Sequence, residues 1–156
     1  MRFRVVMSLV GLLLVARCAW GQATLEEQIK PLAEAHRGVT AVAVRHLRTG
    51  EHFELRAEEP MPTASLIKFP VMVEAYRQAA AGQVDLQEML TLHEADKAPG
   101  SGILSSHFSD GATFSLRDAV RLMIAYSDNT ATNLVLQKIS LPATNETMEK
   151  LGLANT

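Results

Sequence analysis

The sequence predicts an α+β fold in which a helical region follows part of an antiparallel sheet. Three observations predict it. The 156 residues are 47% hydrophobic and 21% charged, which is the composition of one ordinary globular domain. Residues 39–47 are apolar and β-branched, and residues 52–57 alternate after a turn, as the two strands of a hairpin do. Every later segment has the character of a helix or a loop. This combination excludes a disordered chain, a collagen-like repeat and a multi-pass membrane protein.

The first 23 residues have the pattern of a secretory signal peptide. Two arginines precede a mostly apolar run over residues 5–16, and small residues suited to cleavage follow at 19–23. A membrane-spanning helix would need roughly 20 apolar residues, and Arg17 ends this run too early. An uncleaved amphipathic anchor is the alternative interpretation. We therefore predict an exported protein, periplasmic or secreted, with no stable membrane association after cleavage.

Charge and cysteine content exclude several other classes of protein. The formal net charge is −2, so no basic surface is expected to hold nucleic-acid phosphates. The single cysteine excludes a disulfide framework and a cysteine-rich zinc site. The five histidines lack the spacing of a zinc motif, and no glycine-rich phosphate loop is present. The sequence therefore predicts no metal site, no cofactor and no nucleic-acid partner.

Hydrophobic spacing and capping residues predict four helices and one β-hairpin in the mature chain. The helices are predicted over residues 25–37, 66–80, 116–126 and 130–139, and the strands over residues 39–47 and 52–57. These two strands are the whole predicted β content, and a lone hairpin is marginally stable in water. The predicted organisation is a signal peptide (1–23), an N-terminal helix and β-hairpin (24–60) and a helical region (61–156).

A Ser-x-x-Lys sequence stands at the start of the predicted helix over residues 66–80. Side chains three residues apart share one helix face, so the amine of Lys68 can reach the hydroxyl of Ser65. A serine hydroxyl is a weak nucleophile that needs an adjacent base, and the free N–H groups of a helix N-terminus favour an oxyanion. Ser65 as a simple helix cap is the structural alternative. The apolar neighbours of Lys68 favour a buried lysine, which needs a reason to be there.

A second polar motif, Ser127-Asp128-Asn129, lies between two predicted helices, where it can project into a cleft. All three residue types also favour helix caps, so a capping loop is the structural alternative. The tripeptide is rare by chance in a chain of this size. Together with Ser65-x-x-Lys68 about sixty residues earlier, it predicts a nucleophilic serine site.

These two motifs resemble those of the penicillin-recognising serine enzymes, and specifically of the class A β-lactamases. Gly100-Ser-Gly-Ile-Leu104 and the residues that follow Ser127 up to Leu134 are also similar to that family, in the same order. The resemblance covers roughly residues 25–156. It implies a β-lactamase/transpeptidase-like fold, a bacterial origin, and a monomer whose partner is a small β-lactam substrate.

The resemblance implies a role for each matching residue. Ser65 would attack the lactam carbonyl and form an acyl-enzyme, with Lys68 taking part in its activation. Ser127 would pass a proton to the departing lactam nitrogen. Asn129 would bind the side-chain amide of the substrate and help to fix Lys68. Asn133 resembles the family asparagine that orients a deacylating glutamate.

Two further family motifs are not found in the sequence. The glutamate of a Glu-x-x-Leu-Asn loop is expected roughly 35 residues after Ser127, and a Lys-Thr-Gly strand roughly a hundred residues after it. Both positions lie past Thr156, while Glu146 and Glu149 come too early and lack the following Leu-Asn. We therefore expect the N-terminal half of an enzyme, without the C-terminal strands of its sheet and inactive in turnover on its own.

Other functions share parts of the pattern. A D-alanyl-D-alanine carboxypeptidase or transpeptidase also has Ser-x-x-Lys and Ser-x-Asn, although Asp128 and Asn133 favour the β-lactamase. Serine-dependent glutaminases are similar, but an exported chain fits them poorly. A β-lactam sensor, which is acylated once, and an inert remnant are the alternatives that involve no turnover.

Overall fold

The structure, a computed structural model, describes residues 23–156, so all but the last residue of the predicted signal peptide lies outside the described residues. The described chain divides into two compact units, one that ends at Met61 and one that spans Pro62–Thr156. Within residues 23–156, none of the helices is both long enough and apolar enough to cross a membrane.

The first unit consists of one helix and one β-hairpin. Helix α1 (Leu25–Ala35) begins at a capping box, in which the N–H of Glu27 donates to Oγ1 of Thr24 and the Glu27 carboxylate accepts from the N–H of Thr24. Strand β1 (Val42–Arg45) pairs antiparallel with β2 (His52–Leu55), and α1 packs against β2. The predicted helix and hairpin are confirmed, although both strands are shorter than predicted.

The second unit is mainly helical. Its elements are a 3₁₀ turn (Ala64–Ile67), α2 (Lys68–Ala80), β3 (Met89–Thr91), a 3₁₀ turn (Glu94–Asp96), α3 (Leu104–His107), β4 (Thr113–Ser115), α4 (Leu116–Ala125), α5 (Asn129–Ile139) and α6 (Leu141–Lys150). Side-chain caps begin α4 and α5, because Ser115 accepts from the N–H of Asp118 and Asp128 from the N–H of Ala131.

The expectation that no strand follows residue 60 is wrong. Strands β3 and β4 form a second antiparallel pair, with Leu90 opposite Phe114. Each strand has three residues and the two lie more than twenty positions apart, so neither a run of alternating residues nor a tight turn marks them in the sequence. This small sheet brackets the loop between residues 92 and 112, which carries part of the site described below.

Helices α2, α4 and α5 enclose the core of the second unit. Buried side chains recur along α4 at Leu116, Ala119, Val120 and Met123, which is the spacing of one helix face. Facing residues of the other helices and of the loop over residues 90–104 complete the cluster: Val71, Ala75, Leu90, Leu92, Leu104, Ala131, Leu134, Val135 and Ile139. Because the core holds α2 and α5 side by side, their N-terminal ends are fixed relative to each other.

Helix α6 is absent from the predicted elements. It follows α5 after Ser140 alone, which adopts a left-handed conformation (φ 69°) and caps α6 by accepting from the N–H of Ala143. A one-residue break of this kind leaves no loop-like stretch of sequence to mark a boundary. Pro142 lies in the first turn of α6, where a missing N–H costs nothing.

A buried carboxylate, Glu74, ties α2 to α6. Its oxygens accept two hydrogen bonds from the guanidinium of Arg77, both at 2.7 Å, one from Gln78 at 2.5 Å and one from the hydroxyl of Thr147 at 2.7 Å. These contacts outweigh the effect of burial, and with the Arg77 hydrogen bonds as the largest cause they lower the pKa of Glu74 to about 2. Gln78 also donates to the carbonyl of Ile139 at the end of α5, so one cluster holds three helices together.

Candidate active site

Ser65 lies in a 3₁₀ turn that continues directly into α2 at Lys68. Side chains three residues apart eclipse each other in a 3₁₀ helix, so this tighter turn places Lys68 over Ser65. The N–H of Leu66 is the first to join the turn, donating to the carbonyl of Thr63 at 2.9 Å, so the N–H of Ser65 precedes the helical hydrogen bonds. Ala64, directly before Ser65, has a positive φ of 44°. The first turn is therefore irregular.

Lys68 is buried, with 5% of its surface exposed, and its amine is surrounded by oxygens. Nζ lies 2.5 Å from the carbonyl of Ser127, 2.8 Å from Oδ1 of Asn129, 3.0 Å from Oγ of Ser127 and 3.4 Å from Oγ of Ser65. An ammonium has three N–H donors for these four acceptors, so the long contact with Ser65 is the weakest of the four.

Ser127 lies between the other two reactive side chains. Its hydroxyl donates to Oγ of Ser65 at 2.7 Å and accepts from Nζ of Lys68 at 3.0 Å. Ser127 has a φ of 52°, a conformation that costs a non-glycine residue energy and that is found often at functional sites. This backbone conformation presents both its carbonyl and its hydroxyl to Lys68. The hydrogen-bonded route from Ser65 to Lys68 therefore passes through Ser127.

The side-chain amide of Asn129 is engaged at both ends. Oδ1 accepts from Lys68 at 2.8 Å, and Nδ2 donates to the backbone carbonyl of Pro99 at 2.9 Å. The backbone N–H of Asn129 donates to the carbonyl of Ser101 at 2.9 Å. Asn129 thus links Lys68 to the loop over residues 98–104, and one hydrogen of Nδ2 remains available to a substrate.

The buried side chain of Asp128 joins the loop over residues 98–104 to the start of α5. Its carboxylate, in a residue with 1% of its surface exposed, accepts from the backbone N–H groups of Ile103 at 2.7 Å, Leu104 at 2.9 Å and Ala131 at 2.9 Å. The chain approaches Asp128 so closely at Gly102 that a Cβ there would lie 2.3 Å from Cγ of Asp128. Glycine at this position is therefore a steric requirement, and the N-cap preference of aspartate is the sequence signal that marks Asp128.

Ser65 and Lys68 lie at a cleft of about 440 Å³. Ser65, Lys68, Asn129 and Asn133 line it together with Ala98, Ser101 and Thr132, three residues to which the sequence assigns no role of their own. Asn133 faces the cleft one helical turn after Asn129 but takes no part in the hydrogen bonds that join Ser65, Lys68, Ser127 and Asn129. Within the described residues, no group of three or more His, Cys, Asp or Glu side chains is placed to hold a metal ion.

Comparison with known proteins gives a consistent result. The model of the β-lactamase enzyme family matches residues 24–156. A β-lactamase of Proteus vulgaris is 28% identical over 141 residues, which cover 89% of this chain and 46% of the relative. The chain therefore spans about half the length of the curated relatives it matches.

Solved structures agree in fold. A β-lactamase from Sphaerobacter thermophilus is 40% identical with a TM-score of 0.73, over 78% of this chain and 45% of that one. PBP-A is 30% identical with a TM-score of 0.77, over 85% and 50%. A variant of the ancestral class A β-lactamase of Gram-negative bacteria is 28% identical with a TM-score of 0.73, over 83% and 49%. By its sequence and by its fold, this chain belongs to the β-lactamase enzyme family.

Proposed function

We propose that this chain carries the acylation site of a class A serine β-lactamase, which hydrolyses β-lactams through an acyl-enzyme on Ser65. The observation that carries the proposal is the continuous hydrogen-bonded path from Ser65 through Ser127 to Lys68. A nucleophile, a proton carrier and an amine within hydrogen-bond reach of one another are what serine acylation requires.

Acylation begins with transfer of the Ser65 proton. The step requires Lys68 as a neutral amine and rotation of both hydroxyls, because in the structure Ser127 donates to Ser65 and Lys68 to Ser127. After that rotation the hydroxyl of Ser65 donates to Oγ of Ser127, and the proton of Ser127 passes to Nζ of Lys68. Oγ of Ser65 then forms a bond to the lactam carbonyl carbon, and the carbonyl π electrons move onto its oxygen. The N–H of Ser65, ahead of the helical hydrogen bonds, is one donor for this oxyanion.

Collapse of the tetrahedral intermediate opens the lactam ring. The C–N bond breaks, and the departing nitrogen takes the proton of the Ser127 hydroxyl, which Lys68 replaces from its ammonium. The free hydrogen of Asn129 Nδ2 would meanwhile bind the acyl side-chain carbonyl of the substrate. The proton removed from Ser65 thus ends on the product nitrogen, and the site returns to its starting charge.

Turnover also requires hydrolysis of the ester. Asn133 faces the cleft beside Ser65 and is proposed to orient the group that activates the attacking water. No carboxylate belongs to the cleft within the described residues. We therefore propose that the 156-residue chain is acylated but hydrolyses β-lactams negligibly. We further propose that it is exported to the periplasm or secreted, acts as a monomer, and needs no cofactor.

The proposal is tested by covalent labelling. Purified chain is incubated with benzylpenicillin and analysed by intact mass, with Ser65→Ala as the test variant. Ser106→Ala is the control, because Ser106 is an exposed serine outside the cleft. Wild type and Ser106→Ala should gain the mass of one penicillin and Ser65→Ala none. An adduct on Ser65→Ala would overturn the assignment of the nucleophile.

A D-alanyl-D-alanine peptidase-like function is the second candidate, and the similarity to PBP-A favours it. A variant of PBP-A is known as an acyl-enzyme complex with penicillin G and is 29% identical to this chain. A relative of 31% identity from Streptomyces cacaoi is a β-lactamase regulatory protein, so a regulatory role is a further alternative. Release of D-alanine from a D-Ala-D-Ala peptide, with no hydrolysis of a chromogenic cephalosporin, would favour the peptidase.

A further inference from the structure

We propose that Thr130 is a positioning residue for Lys68, which it reaches through the Pro99 carbonyl and the Asn129 amide. The inference rests on the proposed acylation of Ser65, since it assigns a further residue to that reaction. Thr130 touches neither Ser65 nor Lys68 through a hydrogen bond. Its effect is transmitted through three hydrogen bonds, each between 2.8 and 2.9 Å long. They join Thr130 to Ala98, the next residue Pro99 to Asn129, and Asn129 to Lys68.

The first link is the orientation of the Asn129 amide. Lys68 offers only N–H donors when charged, so it requires the oxygen of the amide, whereas the carbonyl of Pro99 requires the nitrogen. If the amide rotated by half a turn, its NH₂ group would face the N–H donors of Lys68 and its oxygen would face the carbonyl oxygen of Pro99. The Pro99 carbonyl therefore determines that Oδ1 of Asn129 faces Lys68.

The second link is the position of the Pro99 carbonyl itself. Proline has no N–H, so Pro99 cannot donate a backbone hydrogen bond that would fix it. The preceding N–H, that of Ala98, donates to Oγ1 of Thr130 at 2.9 Å. Only 1% of the Thr130 surface is exposed, so no bulk water is at hand to replace this acceptor. Thr130 therefore fixes Ala98, the residue directly before Pro99, and so limits where the Pro99 carbonyl can lie.

The third link returns to the reactive amine. Asn129 Oδ1 is one of the two shortest contacts of Nζ, and the other is the carbonyl of Ser127. If the 98–99 segment shifts, Asn129 can rotate and Lys68 loses one of the acceptors that hold its amine toward Ser127. Proton transfer depends steeply on such geometry, so acylation slows although every reacting group is still present.

The test compares four proteins in the full chain: wild type, Thr130→Val, Thr130→Ser and Thr144→Val. Valine keeps the shape of threonine without its hydroxyl, and serine restores the oxygen. Thr144 is the matched control, because it is equally buried but its hydroxyl donates to the carbonyl of Ser140, just past the C-terminal end of α5. The rate of benzylpenicillin adduct formation is followed by intact mass, and NMR reports the Ala98 N–H and the Asn129 side-chain NH₂.

We expect Thr130→Val to be acylated about tenfold more slowly than wild type. This factor corresponds to losing the free energy of one hydrogen bond in the transition state. The Ala98 and Asn129 signals of Thr130→Val should shift, whereas Thr130→Ser and Thr144→Val should acylate within about twofold of wild type. A wild-type rate in Thr130→Val, or a Thr130→Ser variant as slow as Thr130→Val, would overturn the inference.

Two further readouts make the result independent of the proposed function and of folding. If wild type forms no adduct, the proposed function fails, and unchanged Asn129 signals in Thr130→Val would then refute the positioning role separately.

If Thr130→Val does not fold, Gly100→Ala replaces it, because a Cβ there would lie 2.9 Å from Asn129 Nδ2. Its control is Gly111→Ala, which has a similar positive φ but open space around the added Cβ. Equal acylation by these two glycine variants would overturn the inference.

Discussion

Ser127 donates a hydrogen bond to Oγ of Ser65 at 2.7 Å, although the two serines are 62 positions apart. The direct contact between Ser65 and Lys68 is 3.4 Å long, despite their separation of only three residues. The residue distant in sequence is thus the nearer partner of the proposed nucleophile, and it has the better geometry for accepting its proton.

Replacing Ser127 should therefore slow acylation strongly. We expect Ser127→Ala to lower the rate of adduct formation with benzylpenicillin by about a hundredfold, the usual contribution of a positioned proton carrier. Ser140→Ala is the control, because Ser140 is a serine with a similar positive φ that lies outside the cleft. Single-exponential labelling followed by mass spectrometry measures both rates. Equal rates for the two variants would show that Lys68 accepts the proton directly.

The charge of Asp128 should matter for stability. Asp128→Asn keeps the shape of the side chain but leaves one oxygen in place of two, so at least one of the three N–H donors faces an NH₂ group. We expect a loss of about 3 kcal/mol in the free energy of unfolding, measured by urea denaturation. Asp118→Asn, at an exposed ion pair with Arg121, should change the urea midpoint far less. A midpoint for Asp128→Asn equal to that of Asp118→Asn would contradict the role given to the buried carboxylate.

Glycine at position 102 should be required for steric reasons. Gly102 and Gly111 both have a positive φ, so alanine at either position costs about 1–2 kcal/mol of backbone strain. Only Gly102→Ala also drives a Cβ into Asp128, and we expect an additional loss of about 2 kcal/mol. Thermal unfolding of the two variants side by side separates the clash from the strain. Similar melting temperatures would mean that the loop shifts at no cost.

The cluster around Glu74 should make folding sensitive to acid. The pKa of Glu74 is about 2 in the folded protein and 4.5 ordinarily, so its contribution is complete above pH 4.5 and is lost as the pH falls toward 2. Glu74→Gln should cost about 3 kcal/mol at pH 7 and show a shallower acid dependence than wild type. Urea unfolding between pH 2 and pH 7 measures both. Glu146→Gln, at an exposed pair with Lys150, is the control and should follow the wild-type curve closely.

The residues of the site were predictable from sequence, but the contacts that hold them were not. Ser65, Lys68, Ser127 and Asn129 are chemically distinctive and lie at family spacing, and the structure brings them together. The roles proposed for them remain predictions until the labelling experiments are done. Thr130, Gly102 and the Pro99 carbonyl were not predicted, because their importance depends on the close approach of a loop to the start of α5 about 30 residues later. Strands β3 and β4 were missed for the same reason, since three-residue strands are defined by their partner and not by their own pattern.

The three hydrogen bonds to the Asp128 carboxylate have a consequence for how the site can be used experimentally. Two of them join the start of α5 to a segment 24 and 25 positions earlier, and the third caps α5 itself. Neither segment can therefore leave its native place without leaving a buried carboxylate without these partners. The cleft and the helical core are thus expected to form and melt as one cooperative unit. The yield of penicillin adduct, read after stepwise denaturation, would then count native molecules directly, and the chain would serve as a covalent reporter of its own folding.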